Sequence, residues 1–133
     1  MIVNKAGIAL FYYNFLKKSK IKEKYQLIAS FLDQIAQITK FGLKEDLGII
    51  MMSNYFYSYY NHKKSKLLII FKCDKSNYDN PKIIKKSLDI LAKKLVDSFF
   101  MKFKDEIEIF NGNISRFSSF TKIIEDLFSS NRD

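Results

Sequence analysis

The sequence predicts an α+β fold, in which a five-stranded antiparallel sheet carries one helix on one face and two on the other. The predicted order of elements is β-β-α-β-β-β-α-α. Three observations predict it. The chain opens with two apolar runs around a small turn. Its middle alternates short apolar runs with turn residues, as strands do. The remaining segments carry apolar residues at helical spacing.

The amino-terminal residues predict a buried hairpin. Ile2 and Val3 precede a turn containing Gly7, and residues 8–15 are apolar at almost every position. Gly provides the positive φ that a tight turn requires, and continuous apolarity indicates a strand covered on both faces. A membrane anchor is not expected, because a spanning helix needs about 18 or more apolar residues. A cleaved leader is not expected either, because no small-residue cleavage site follows.

The next segment has helical spacing. Residues 22–41 place apolar side chains three and four positions apart, and Gly42 follows as a helix stop. We expect this first helix to bury one stripe on the sheet. The residues of that stripe are Tyr25, Ile28, Phe31, Leu32, Ile35 and Ile38.

The middle of the chain carries three short strand patterns. Apolar and aromatic runs at 47–52, 55–60 and 66–73 are separated by polar residues at 53–54 and 61–65. This pattern predicts an antiparallel meander whose last strand is central.

Two further helices complete the predicted fold. Asn80 and Pro81 form a strong helix start, and helical spacing continues to about residue 104. A break at 111–113 precedes a shorter helix expected over 115–128. Its inward-facing residues are expected to be Phe117, Phe120, Ile124 and Phe128.

Length and composition indicate one domain. The chain has 133 residues, 47% of them hydrophobic, which is enough for one core. We expect a single domain over 1–128 and a frayed tail at 129–133.

Lys and Arg number 23 against 14 acids, for a net charge of +9. This excess favours acidic partners or anionic lipid surfaces, but an AT-rich genome is the preferred explanation of the abundant lysine. The lone Cys73 excludes an intramolecular disulfide and is typical of a cytoplasmic protein, here with the option of peripheral membrane contact.

The sequence has few residues of the types that catalyse reactions or bind metals, so no enzyme activity, cofactor or metal is expected. His62, the only histidine, is predicted to lie exposed in a polar turn, and Cys73 to behave as a small hydrophobe at a strand end. A Cys–His pair between the two remains an alternative, without a third orienting group. The four glycines are isolated, so no phosphate-binding loop is present.

The order and lengths of the elements resemble the longin, or SNARE-like, domain over about residues 2–128. The stretch NKAGIALFYY at 4–13 is similar to the first hairpin of that family. The stretch FNGNISRF at 110–117 is similar to the break before the last helix in archaeal longin-like proteins.

The resemblance implies a non-enzymatic interaction module that serves small-GTPase regulation or complexes of the vesicle-trafficking type. It implies as partners a small GTPase, another longin or roadblock domain, or a second copy. A roadblock-related GTPase regulator is an alternative. The chain has no coiled-coil segment after the domain, so a fusion role is not expected.

A partner surface is predicted at the margin formed by the first helix and the strand after it. Ile49, Ile50, Met51 and Met52 supply more apolar surface than one buried face needs, and an unpaired apolar edge favours pairing with another chain. Tyr25 of the first helix belongs to the same predicted surface. Burial of this strand in the monomer core is the alternative.

Phe100 does not fall on the apolar stripe of the second long helix. Helical spacing places it on the lysine-bearing side of the second long helix, so either the third helix packs over it or a partner contacts it. The first of these is preferred, and Phe100 is kept as a candidate partner residue.

A basic patch supports a second function. Five lysines crowd the junction between the second predicted strand and the first helix, and the tyrosines at 55, 57, 59 and 60 could stack on bases. The alternative function is therefore a basic binder of anionic membrane or nucleic acid. Nucleic acid is the less favoured partner, because helices are expected to cover both faces of the sheet. The lysines of the patch are Lys17, Lys18, Lys20, Lys22 and Lys24.

Overall fold

In the part of the chain that the structure describes, the fold contains five strands and three α-helices. The computed structural model describes residues 1–15, 24–77 and 80–129. Short 3-10 turns lie at Lys75–Asn77 and Ile114–Phe117. The strands are β1 (Ile2–Val3), β2 (Ala9–Phe11), β3 (Ile49–Met51), β4 (Tyr55–His62) and β5 (Leu67–Asp74), and the helices are α1 (Tyr25–Gly42), α2 (Pro81–Glu108) and α3 (Phe120–Ser129).

The strands form one antiparallel sheet in the order β2-β1-β5-β4-β3. β1 lies between β2 and β5, with Ile2 opposite Ile69 and Val3 opposite Leu68. The prediction that the amino-terminal hairpin and the later meander form a single five-stranded sheet is therefore confirmed. β2 and β3 are the two edge strands.

The hairpin turn has the chemistry that the sequence predicts. Gly7 has a φ of +81°, and the side-chain oxygen of Asn4 accepts hydrogen bonds from the backbone N–H groups of Ala6 and Ile8. A Cβ at Gly7 would lie 3.0 Å from an Asp33 carboxylate oxygen, so α1 approaches this turn closely. The predicted second strand is too long, because only Ala9–Phe11 pair as a strand.

The later elements also differ from their predicted bounds. β4 continues two residues beyond the predicted end, to His62. α2 extends to Glu108 with a break in helical geometry at Phe103. The third predicted helix is divided, because the Asn113 side chain caps a 3-10 turn before α3 begins. Of the predicted frayed tail, only Ser129 is described, as the last residue of α3.

Buried side chains form two clusters, and successive residues of β5 alternate between them as a pleated strand requires. Leu67 and Ile69 belong to a cluster with residues of α2 and α3. Leu68 and Ile70 belong to a cluster with Ala29 and Leu32 of α1.

The predicted buried stripe of α1 is partly wrong. Phe31 and Ile38 are exposed, while Ala29 and Leu32 are fully buried. Small residues on the buried face let a helix approach a sheet closely, and the bulky residues then remain outside. Helical periodicity identifies an amphipathic segment, but the sheet decides which of its faces is covered.

Candidate interaction surface

One edge of the sheet is closed by α1. The register of β1 and β2 leaves the Ala9 backbone groups directed away from β1. The Gln26 side chain pairs with both of them. Its oxygen accepts a hydrogen bond from the Ala9 N–H at 2.9 Å, and its nitrogen donates to the Ala9 carbonyl at 2.8 Å. The side-chain amide of Gln26 thus takes the place of a neighbouring strand, and Tyr25 beside it stacks on Tyr12 at 5.1 Å.

The opposite edge, β3, is open. The Met52 N–H donates to the Tyr55 carbonyl, and the Tyr59 N–H donates to the Gly48 carbonyl. The backbone N–H and carbonyl groups at positions 48, 50 and 52 are therefore on the side of β3 that faces β4. By the alternation of an antiparallel pair, those of Ile49 and Met51 face outward. Within the described ranges, no strand pairs with them.

The strands at this edge have no charged side chain of their own, and lysines from other elements reach only its two ends: Lys75 donates to the Met52 carbonyl at 3.1 Å and Lys85 to the Tyr59 carbonyl at 2.5 Å. Residues 47–62, which include all of β3 and β4, contain no Lys, Arg, Asp or Glu, in a chain where 28% of residues are charged.

Natural proteins protect exposed edge strands with charged residues, Pro, bulges or a covering element. Neither a charged side chain of β3 itself nor Pro protects this edge, whereas Gln26 covers β2. Among the described residues, β3 is therefore the edge whose outward backbone groups at Ile49 and Met51 are left open to pairing.

α1 carries a second apolar stripe that points away from its buried face. Leu27, Phe31, Ile38 and Phe41 are 54–71% exposed. They and Gln34 follow the spacing i, i+4, i+7, i+11, i+14, which places them on one face of the helix. The only charged residues of α1 are Asp33 and Lys40. A face that is apolar and nearly uncharged on so basic a chain is typical of a protein interface.

The structure separates the residues predicted to bind a partner. Ile49 and Ile50 are half-buried in β3, and Met51 and Met52 are exposed. Tyr25 is half-buried against its own chain. Phe100 lies at the other end of the β4–β5 hairpin, where its ring centre is 6.1 Å from that of His62. At this contact Phe100 packs against β4, and the expectation that the third helix packs over it stays a prediction.

The predicted basic patch is mostly outside the described residues. Lys17, Lys18, Lys20 and Lys22 lie there, and Lys24 is exposed immediately before α1. The stacking platform is not formed, because Tyr57 and Tyr59 are buried and Tyr60 packs beside the α2 cluster. Tyr55 is the exposed member, and Lys72 lies over its ring at 4.2 Å.

The prediction that His62 is exposed in a turn is wrong. His62 is the last residue of β4 and its side chain is buried. The Nε2–H of the ring donates to an Asp97 carboxylate oxygen at 2.9 Å, and Nδ1 accepts from the Ser65 hydroxyl at 2.6 Å. The tautomer follows from the network, because the Ser65 backbone N–H also donates to Nδ1. Strand alternation extended by two residues would have placed His62 on the α2 side of the sheet.

These contacts form a latch, by which we mean His62, Ser65 and Asp97. It joins the β4–β5 turn to α2. The same order of groups activates serine in hydrolases, but here the serine belongs to the turn itself. The Ser65 hydroxyl oxygen also accepts a hydrogen bond from the Leu67 N–H. The arrangement therefore closes the hairpin and fixes it to the helix.

The alternative Cys–His pair does not form. Cys73 lies opposite Phe56 and His62 opposite Leu67, so six residues, or about 20 Å, separate them along β4. Burial raises the pKa of the Cys73 thiol, which disfavours the thiolate. Within residues 1–15, 24–77 and 80–129, no group of three His, Cys, Asp or Glu side chains is placed to hold a metal ion.

Asp33 of α1 provides a test of how closely that helix packs. Burial raises the pKa of its carboxyl, and a hydrogen bond with Gln37 opposes this in part. A carboxyl whose pKa is raised on folding binds more protons in the folded state, so stability falls as pH rises through that pKa. We expect Asp33→Asn to raise the melting temperature by a few degrees at about pH 7. The difference in melting temperature between Asp33→Asn and the unmodified chain should vanish near pH 3, where both side chains at position 33 are neutral.

Thermal unfolding followed by circular dichroism between these two pH values checks the prediction. Asp46→Asn removes an exposed carboxylate and serves as the control, with little change expected at either pH. A melting temperature for Asp33→Asn that falls at neutral pH would mean that the ionised carboxylate is stabilised in the folded protein.

Comparison of the chain with protein-family models, with curated proteins and with solved structures gives no match. None of the helices in the described part of the chain has the length and apolarity needed to span a lipid bilayer.

Proposed function

We propose that this chain is a non-enzymatic, longin-like interaction module that associates with a second copy of itself through the β3 edge. The dimer then serves as a platform for a small GTPase or for a complex of the vesicle-trafficking type. The observation that carries the proposal is the open edge at β3, whose own side chains are uncharged and whose counterpart at β2 is closed by Gln26.

The geometry of β3 is compatible with a symmetric pair. If Ile50 lies opposite Ile50 of a second copy, Ile49 lies opposite the second copy's Met51. Each outward N–H then meets an outward carbonyl, because these positions alternate with those that face β4. A two-fold axis perpendicular to the sheet makes this contact self-complementary. It also keeps the two α1 helices on the same face of the joined sheet.

Charge supports self-association at this place. Two copies each carrying a net charge of +9 repel one another. They approach most easily where both surfaces are apolar and nearly uncharged, as the β3–β4 hairpin and the outer face of α1 are.

The longin-like part of the proposal has separate support. The element order β-β-α-β-β-β-α-α, the hairpin at Gly7 and the break before α3 are the features on which the resemblance rests. The two buried clusters, one containing α1 residues and the other containing α2 and α3 residues, are consistent with the longin arrangement of helices. The GTPase partner follows from the resemblance alone.

Sedimentation of matched lysine variants tests the dimer. We expect the unmodified chain to sediment as a dimer at micromolar concentration and Met51→Lys to raise the dimer dissociation constant by at least about tenfold. The reason is that each copy would place an ammonium group at the pairing edge. Met101→Lys is the control, because Met101 is 83% exposed on α2 and the substitution adds the same charge. A monomer before substitution, or equal weakening by both variants, would refute pairing at β3.

A pull-down against small GTPases loaded with GDP or GTP tests the platform role. Binding that persists at high salt supports an apolar interface. Loss of binding as salt rises favours the alternative function, a basic surface that binds anionic membrane or nucleic acid.

A further inference from the structure

A cavity of about 460 Å³ opens at the end of the sheet that carries the latch. Three separate segments form its walls. These are the turn after β1, the β4–β5 turn, and the carboxyl-terminal part of α2. The volume lies within the usual range for small-molecule sites. The lining residues used below are Lys5, Lys64, Lys66, Lys104, Phe100 and Ile107.

The cavity gathers positive charge. Lys5, Lys64, Lys66 and Lys104 line it, and among the described residues of its wall Glu108 is the only acid. The ion pairs found among the described residues, His62–Asp97 and Lys85–Asp89, involve none of these four lysines. Like charges around one concave surface repel one another, and a bound anion would relieve that repulsion.

The backbone conformation at position 66 is unfavourable for lysine, which indicates that the lysine side chain has a role there. Lys66 has a φ of +61°, a left-handed conformation that glycine adopts far more easily than lysine. Its N–H donates to the His62 carbonyl at 2.8 Å, which closes the turn. A glycine would satisfy the same turn with less strain, but it would remove an ammonium group from the cavity.

The walls of the cavity are held in place. The latch ties the β4–β5 turn, with Lys64 and Lys66, to Asp97 on α2. The same helix carries Phe100 and Lys104, one and two turns further on. The backbone segments that carry Lys64, Lys66 and Lys104 are therefore fixed relative to each other before any ligand binds, which lowers the entropic cost of binding.

We propose that this cavity binds a phosphate-bearing ligand. The four lysines bind the phosphate, and the half-buried side chains of Phe100 and Ile107 contact an apolar or ring-shaped part of the ligand. Lys suits phosphate as a point charge with several N–H donors. The phosphate comes either from a soluble nucleotide or from the headgroup of a lipid. The site lies at the opposite end of β4 from the residues paired with β3, so it is independent of the proposed dimer.

Paired double variants test the site at equal net charge. Lys66→Gln with Lys104→Gln removes two cavity charges. Lys40→Gln with Lys122→Gln removes two exposed charges elsewhere, on α1 and α3. Binding of pyrophosphate and of ATP is measured by calorimetry at physiological salt. Flotation with phosphatidylcholine vesicles, with and without a phosphatidylinositol phosphate, tests the lipid source. Circular dichroism verifies that both variants are folded.

We expect the cavity variant to bind at least about tenfold more weakly than the unmodified chain, and the control variant to bind nearly as well. Binding of the soluble probes identifies a nucleotide-type ligand, whereas binding of the phosphoinositide vesicles alone identifies a lipid headgroup. Equal weakening in both double variants would show general charge attraction and overturn the site. Failure of the unmodified chain to bind any of the probes would also overturn it.

Discussion

Replacement of Phe99 with alanine is expected to lower the free energy of unfolding by about 3–5 kcal/mol, the usual cost of removing a large buried aromatic side chain. Phe99 is fully buried at the centre of an aromatic cluster. Its ring centre lies 4.9–6.3 Å from those of Phe11, Phe103, Phe117 and Phe120. These residues come from β2, α2, the 3-10 turn and α3. Loss of one ring therefore removes contacts that hold four segments together.

Urea unfolding measures the change in the free energy of unfolding. Two further variants test whether the loss depends on the buried ring of Phe99. Phe99→Leu retains part of the volume and should cost clearly less than Phe99→Ala. Phe41→Ala removes a ring that is 71% exposed and should change stability by no more than about 0.5 kcal/mol. All are best made in the Met51→Lys background, so that self-association does not contribute. A loss for Phe99→Ala as small as that for Phe41→Ala would contradict the position of α2 in the core.

Replacement of His62 with glutamine is expected to cost about 1–3 kcal/mol, since the buried ring donates to Asp97 and accepts from Ser65 at once. A glutamine amide cannot reach both partners with the same geometry. Ser65 then loses its acceptor, and the β4–β5 turn is no longer tied to α2.

A double-mutant cycle with Asp97→Asn separates the latch from general effects of substitution. We expect the two changes to be non-additive by about 0.5 kcal/mol or more, because the side chains share one hydrogen bond. Asn61→Gln, at the exposed neighbouring position of β4, should have little effect. Additive losses for His62→Gln and Asp97→Asn would mean that the two side chains do not interact in solution. Nitrogen-detected NMR of the imidazole gives a second reading, since protonation at Nε2 is expected.

The candidate site was only partly predictable. The apolar run at 49–52 and the absence of charge around it were visible in the sequence, and the structure places this run on an edge strand. The outer stripe of α1 was equally present at helical spacing, but periodicity alone favoured a stripe that includes Phe31 and Ile38. Phe100 was selected as off-pattern, yet its neighbour is His62 rather than the β3 edge. The sequence does not predict the latch, because His62 stands among polar residues that are typical of a turn.

Local patterns by themselves determined the number, type and order of the elements, because hydrophobic period, turn residues and caps act over a few positions. The turn at Gly7, the cap at Asn80 and the capped turn at Asn113 are of this kind. Tertiary structure alone decided which face of α1 is buried, which sheet edge Gln26 closes, and that His62 meets Asp97 across 35 positions of sequence. These outcomes depend on contacts between distant segments, and no short stretch of residues contains the geometry that brings such segments together.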